Sequence, residues 1–259
     1  MDDVTASNKK NNKKNENKEP AKNKCVYIMI SKTSTLPSNV IMMWTKQPYA
    51  HTSLALDIEL NEMYSFARKK LRNAFNCGFV SEDITTGVFG RDVETKCRIG
   101  RLWITENQHK KILKTLEKFK KDKAFYKYNY IGILGVMMNK AVERKYHYFC
   151  SQFVFHVLQK AGVEMFDQKP GLVRPEDFRV WKELEIIYEG KLIDYRNYLS
   201  ENCPKDEKTG KYIEKPGVCV VPEPEFAPAD YDEIDDEIAC GAFEVATEET
   251  ELINKVLNK

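Results

Sequence analysis

The chain of 259 residues is 31% charged and 42% hydrophobic, and its net charge of +2 is the balance of three unequal segments. Residues 1–24 carry a net charge of +3, residues 25–200 carry +9 and residues 201–259 carry −10. The basic residues of the middle segment are mixed with acids and form no aromatic-interleaved stripe, so nucleic-acid binding is not expected.

Composition also predicts which part of the chain folds. Residues 1–24 hold seven Lys and six Asn with almost no apolar side chains, so they cannot bury enough apolar area to offset their chain entropy and are predicted to be disordered. Residues 25–200 are predicted to form the folded domain. Residues 201–259 are predicted to be a largely disordered acidic tail, which either stays solvated or binds the basic domain or a partner protein.

The number and spacing of the cysteines and the hydropathy of the chain predict the cellular compartment of the protein. The seven cysteines are odd in number and none has CxxC spacing, so neither a zinc site nor a disulfide scaffold is predicted. No apolar run approaches the roughly 18 residues of a membrane helix, so no transmembrane segment is expected, and the N-terminal segment lacks the apolar core of a signal peptide. We expect a cytoplasmic protein with reduced thiols and with no metal or organic cofactor.

Strands are predicted for the first half of the domain. Residues 26–30 are rich in β-forming side chains and are predicted to be a strand, and an apolar helix is predicted over residues 40–44. Residues 52–58 and 63–67 are predicted to pair as an antiparallel hairpin across a short polar connection. Residues 98–104 form a further predicted strand.

Helices are predicted for most of the second half. One helix begins after the capping residue Thr105 and shows apolar residues at three-and-four spacing. The apolar run over residues 130–138 is predicted to be a buried helix, residues 150–160 an amphipathic helix, and Pro175 the start of a short helix. Residues 186–193 are predicted to be two short strands joined by a tight turn.

Cys150 is the main candidate for chemistry, because it opens the amphipathic helix. Unpaired backbone N–H groups and the helix dipole favour an anion at a helix start, and such surroundings convert a thiol into a thiolate nucleophile. A free cysteine in a helix is more often a small core residue. Position alone therefore leaves both interpretations open.

A cysteine hydrolase also needs a base, and the chain has four histidines. His51 opens a predicted strand, and a strand end packed against a helix start brings a base to a thiol. His109 lies on a lysine-rich helix face, and His147 and His156 are placed poorly to reach Cys150. His51 is therefore the candidate base, although a lone histidine at a strand start is more often structural.

Two short segments resemble a known superfamily. Residues 49–57 (YAHTSLALD) and 149–154 (FCSQFV) are similar to those of the circularly permuted papain-like hydrolases of the NlpC type, and especially to an uncharacterised bacterial branch of YiiX-like proteins. In the permuted branch the histidine strand precedes the cysteine helix, as it does here. The resemblance covers residues 25–200 and implies an α+β fold in which a small antiparallel sheet packs against the cysteine helix.

The resemblance implies a role for each matching residue. Cys150 matches the nucleophile and His51 the general base. A third residue is expected on the strand after His51, where strand parity makes Ser65 the best match and Asp57 the alternative. Members of the superfamily usually have His, Glu, Gln or Asn there. A serine hydroxyl supplies no charge and would stabilise an imidazolium only weakly. Tyr27 is a candidate for an oxyanion-hole hydroxyl.

The resulting prediction is a cysteine hydrolase or acyltransferase of the peptidase or amidase type, which forms an acyl-enzyme on Cys150. Superfamily members act on peptides, protein amides and lipid esters, and the sequence does not choose among these substrates. The alternative is a non-catalytic or weakly active binding protein on a degenerate papain-like fold. The uncharged third residue and the acidic tail favour that alternative.

Overall fold

A six-stranded antiparallel sheet is the centre of the fold. The computed structural model describes residues 21–33, 48–70 and 73–221, so the helix predicted over residues 40–44 lies outside the described residues. The strands are β1 (Lys22–Lys32), β2 (His51–Ala55), β3 (Met63–Lys70), β4 (Asn73–Glu82), β5 (Lys96–Thr105), β6 (Lys127–Tyr128), β7 (His147–Tyr148) and β8 (Glu185–Lys191). The sheet has the order β4-β3-β2-β1-β5-β8, while β6 and β7 form a separate parallel pair.

Five α-helices accompany the sheet in the described part of the chain. They are α1 (Glu106–Lys121), α2 (Tyr130–Met137), α3 (Cys150–Ala161), α4 (Pro175–Arg179) and α5 (Tyr195–Asn202). α1 begins at the predicted cap, because the Thr105 hydroxyl accepts a hydrogen bond from the Gln108 backbone N–H and the Gln108 side chain accepts one from the Thr105 N–H. α3 ends at Gly162, whose left-handed φ of 78° favours glycine.

Both faces of the sheet are covered. Val26, Ile28 and Ile30 of β1 pack with apolar side chains of α1 and α3 on one face, and Tyr27 and Met29 pack with side chains of α5 on the other. Consecutive residues of a strand point to opposite faces. β1 is therefore apolar at nearly every position, as expected of a strand buried on both sides.

The mixed α and β composition and most of the predicted elements are confirmed. Residues 186–193 differ from the prediction, because β8 continues through Gly190 as one strand paired with β5. A 3₁₀ turn, Leu192–Asp194, follows it. β2 ends at Ala55, earlier than predicted, and β4 has no counterpart among the predicted strands.

Residues 203–221, here called the C-terminal strap, return to the sheet face that carries Tyr27. The Tyr27 hydroxyl donates a hydrogen bond to Glu214 over 2.6 Å. Arg101, which is fully buried, donates to the Val218 carbonyl oxygen over 2.6 Å. The strap therefore supplies partners to polar groups that the sheet buries.

The strap also changes one expectation. Cys203 and Cys219 are joined as a disulfide, whereas the sequence predicts reduced thiols. β1 begins at Lys22, and the described residues continue through the strap to residue 221.

Candidate active site

Cys150 lies at the first position of α3, as predicted. The preceding residue, Phe149, has an extended backbone and makes no side-chain cap, so the N–H groups of the first helical turn receive no hydrogen bond from a capping side chain. The Cys150 side chain is largely buried, and its Sγ atom lies 4.0 Å from the carbonyl oxygen of Ala50. The helix start thus places a thiol next to the residue that precedes His51.

His51 is the histidine that the structure brings near this thiol. Cys150 is close enough to raise the pKa of His51, and the Nε2 atom of His51 lies 2.9 Å from Oε1 of Glu82. Because Glu82 occupies Nε2, Nδ1 is the ring nitrogen that remains for the thiol. The three side chains form a series from thiol to imidazole to carboxylate.

The surroundings of His51 favour its charged form. Burial is the largest single influence and lowers the pKa of His51, because it disfavours the imidazolium. The Glu82 carboxylate, which is hydrogen-bonded to the ring, and the nearby Cys150 act in the opposite direction and raise the pKa of His51 well above its usual value. An imidazolium beside Cys150 is the protonation state that stabilises a thiolate.

Glu82 reaches His51 from β4, across β3. The ladder between β2 and β3 consists of two residue pairs, Leu54 with Tyr64 and Ala55 with Met63, so His51 lies beyond its paired part. The second carboxylate oxygen, Oε2, accepts a hydrogen bond of 2.5 Å from Ser53, two residues along β2 from His51. Both oxygens of Glu82 are therefore held by β2.

Ser65 and Asp57 are the residues predicted for the third position. Neither forms a hydrogen bond with His51 in the described part of the chain. The Ser65 hydroxyl donates to the carbonyl oxygen of Thr52 over 2.7 Å, which satisfies a backbone group next to the end of the β2–β3 ladder. The Asp57 carboxylate accepts from the backbone N–H groups of Asn61 and Glu62, 3.0 and 2.8 Å away, and closes a turn. The side chain that bonds the His51 ring is instead Glu82.

Sequence reasoning missed Glu82 because it missed β4. Asn73, Asn76 and Gly78 are weak strand formers, and they obscure an apolar alternation at Phe75, Cys77 and Phe79. That alternation, paired with the strand over residues 63–67, is the signal from which β4 and its terminal acid could be found.

The remaining candidates lie elsewhere. The Tyr27 hydroxyl bonds Glu214 on the sheet face away from α3, so it does not serve Cys150 as an oxyanion-hole donor. Burial lowers the pKa of His156 to about 4, with Lys160 and Lys118 acting in the same direction. His147 hydrogen-bonds the backbone carbonyl of its neighbour Lys145 over 2.8 Å.

An open cleft that is continuous with solvent lies at the start of α3. Its wall on the α2 side is formed by Ile133, Val136 and Met137, and Cys150 lies in the lining. Tyr49 and Arg174 also line it. The thiol therefore borders a largely apolar recess of the surface.

Comparison of the chain with models of protein families, with curated proteins and with solved structures found no match. Among the residues that the structure describes, no group of three or more His, Cys, Asp or Glu side chains could hold a metal ion. Within the same ranges, none of the helices is both long and apolar enough to cross a membrane. The case for an activity therefore depends on the geometry of the site.

Proposed function

We propose that the protein is a cysteine-dependent hydrolase or acyltransferase that acts on an amide or ester bond. Cys150 is the nucleophile, His51 the general base and Glu82 the residue that orients His51. The observation that carries this proposal is the placement of Cys150 at an open cleft and near His51, whose ring bonds the Glu82 carboxylate. Thiol, base and orienting acid are the three groups that nucleophilic acyl transfer requires.

In the first step, His51 holds the proton of the thiol and the Cys150 thiolate attacks the carbonyl carbon of the substrate. A bond forms between Sγ and that carbon, and an electron pair of the carbonyl moves to its oxygen. The tetrahedral intermediate then collapses as the C–N or C–O bond breaks. The imidazolium of His51 donates its proton to the leaving amine or alcohol, which leaves a thioester on Cys150.

In the second step, an incoming nucleophile attacks the thioester carbon while neutral His51 takes its proton. The bond between this carbon and Sγ breaks, and the thiolate–imidazolium pair is restored. Water gives a carboxylic acid, and hence hydrolysis. An alcohol or amine gives a new ester or amide, and hence acyl transfer.

Backbone N–H groups at the start of α3 are suited to the charge that develops on the carbonyl oxygen. The first N–H groups of a helix have no partner within it, and Phe149 offers none from its side chain. The Cys150 N–H is therefore available as an oxyanion donor, aided by the positive end of the helix dipole. An oxyanion site formed by these backbone groups requires no further side chain.

The placement of Glu82 favours an enzyme over a binding protein. An uncharged third residue was the main reason to consider a degenerate site. Glu82 supplies a negative charge 2.9 Å from His51, and this charge stabilises the imidazolium that forms during catalysis. The histidine strand before the cysteine helix, with the helix packed on an antiparallel sheet, supports the proposal of a permuted papain-like fold.

Acylation by an activated ester tests the nucleophile. The protein is incubated with para-nitrophenyl hexanoate at neutral pH, and its intact mass is measured over time. We expect the addition of one hexanoyl group, its loss in Cys150→Ala, and its retention in the matched cysteine variant Cys77→Ala. Acylation of Cys150→Ala at the wild-type rate would contradict the assignment.

Two histidine variants test the base in the same assay. His51→Gln is expected to acylate slower by on the order of 10² to 10⁴, because general acid–base catalysis contributes about that much. His147→Gln is the matched control and is expected to behave like the wild type. Equal rates for both variants would exclude His51 as the base.

A further inference from the structure

The lining of the cleft is almost entirely apolar, so its few polar groups decide what it binds. Two of these polar groups already form hydrogen bonds with other groups of the protein. The Tyr49 hydroxyl donates to Glu189 over 2.8 Å, and the Ser151 hydroxyl donates to the Val173 carbonyl oxygen over 2.7 Å. Apart from the reacting thiol, the polar side chain left in the lining is Arg174.

Arg174 is held between two elements that border the cleft. Its backbone N–H donates to the Asp177 carboxylate over 2.7 Å, and the carbonyl of the preceding Val173 accepts from Ser151. Its guanidinium makes one long hydrogen bond of 3.4 Å, from Nη2 to the Val136 carbonyl oxygen of α2. The residue is thereby tied to α2 and to the first turn of α3, where Cys150 lies.

The Asp177 carboxylate interacts electrostatically with Arg174, but no ion pair joins Arg174 to an acid within the described part of the chain. Three other buried or half-buried arginines have ion pairs: Arg98 with Glu189, Arg101 with Glu185 and Arg179 with Glu176. A guanidinium has five N–H donors in a planar fork, so most donors of Arg174 remain available. Such a fork matches a carboxylate with two parallel hydrogen bonds.

We infer that Arg174 binds a carboxylate of the substrate, so that the substrate class is an ester or amide that joins a small apolar chain to a carboxylate. This inference rests on the proposed function. Ile133, Val136 and Met137 pack along the apolar chain. Arg174 holds the charged group, and the carbonyl between them meets Cys150.

Two pairs of esters test the inference, one with the charge on the acyl group and one with it on the leaving group. The first pair is para-nitrophenyl hexanoate and the para-nitrophenyl monoester of adipate, in which a carboxylate replaces the terminal methyl. The second pair is the hexanoyl esters of para-hydroxybenzoate and para-hydroxybenzamide. Rates are corrected with Cys150→Ala, which reports non-enzymatic hydrolysis.

We expect the wild type to prefer the anionic ester of at least one pair by roughly 10- to 100-fold in kcat/KM, the range for a hydrogen bond to a charged group. In Arg174→Gln this ratio is expected to fall towards one. Lys169→Gln, which removes the same charge from an exposed position nearby, is expected to retain the ratio. The pair that shows the preference identifies the side of the scissile bond that carries the carboxylate.

The inference is overturned if the wild type shows no preference in either pair, or if Arg174→Gln keeps it. Calorimetric binding of the monoamide of adipate and of hexanamide, which lacks a carboxylate, to Cys150→Ala provides a readout that needs no turnover. If no ester is cleaved by Cys150, the proposed function fails, while tighter binding of the adipate monoamide that Arg174→Gln abolishes still supports the carboxylate site. Equal binding of the two amides before and after the substitution rejects it. Thermal unfolding confirms that Arg174→Gln is folded.

Discussion

Two strand pairs of the same sheet differ in the length of their hydrogen-bonded ladders. We call the β1–β5 pair the long seam and the β2–β3 pair the short seam. β1 and β5 pair over ten residue pairs and carry buried apolar side chains on both faces. β2 and β3 pair over two residue pairs, and His51 and Ser53 of the candidate site lie on β2 beyond that ladder. The long seam holds the core together, whereas the short seam lies beside the contact between Glu82 of β4 and His51 of β2.

This contrast implies that damage to the two seams has different consequences. Substitutions in the long seam lower the free energy of unfolding and leave the chemistry of the remaining folded protein unchanged. Substitutions at the short seam lower the rate of acyl transfer more than they lower stability.

The largest effect is expected at the long seam, from Ile28→Ala. Ile28 is fully buried and packs in the core between the sheet and α3, so its truncation leaves a cavity. We expect a loss of about 2–5 kcal/mol in the free energy of unfolding by urea. Ile193→Ala, at a position that is 61% exposed, is the control and is expected to change it by less than about 0.5 kcal/mol.

The next effect is expected at Glu82, where Glu82→Gln keeps the shape of the side chain and removes its charge. The imidazolium of His51 then loses its stabilising partner, and kcat is expected to fall roughly 10²-fold. Glu94→Gln, at an exposed ion pair with Lys191, is the control for the loss of one negative charge. A Glu82→Gln enzyme with wild-type kcat would show that the short seam does not orient the base.

Smaller effects on kcat are expected from substitution of the two serines near the short seam. Ser53→Ala removes the donor to Glu82, and we expect kcat to fall about five- to tenfold with little change in KM, since one hydrogen bond to a charged group is lost. Ser65→Ala is expected to lower the free energy of unfolding by about 1 kcal/mol while kcat changes less than in Ser53→Ala. The reverse order of the two effects on kcat would restore Ser65 as the third catalytic position.

The smallest effect is a dependence of stability on pH. Glu82 and Cys150 outweigh burial and raise the pKa of His51 in the folded state, whereas in the unfolded chain it is near 6.5. The stabilisation is therefore complete below about pH 6.5 and is lost as pH rises through the folded value. The free energy of unfolding by urea is measured across this range for Cys150→Ser and for the same protein with His51→Gln added. We expect the protein with His51 to be more stable at low pH and this difference in stability to shrink as pH rises. A difference that grows with pH would contradict the charged pair.

The sequence predicted the regular parts of the molecule well for a physical reason. A strand buried on both faces and an amphipathic helix must show their periodicity, as residues 26–30 and 150–160 do, because burial of apolar area requires it. The start of α1 was also predictable, since Thr105 caps it with its own neighbours.

The candidate site was only partly predictable. Cys150 and His51 occupy the ends of elements, where short motifs reveal them. Glu82 depends on a strand of weak propensity and on the place where β2 and β3 stop pairing, and this place is set by the tertiary structure. Strand parity considered only the predicted hairpin of residues 52–58 and 63–67, and for that reason it selected Ser65.

The buried Arg101 links the C-terminal strap to the stability of the sheet. Arg101 is fully buried and bonds both Glu185 and the Val218 carbonyl oxygen of the C-terminal strap. A fragment that stopped after α5 would leave this guanidinium short of an acceptor, at a cost of about 1–3 kcal/mol, and would also leave the Tyr27 hydroxyl without Glu214. The strap is therefore expected to stabilise the sheet, although it belongs to the acidic segment of the chain.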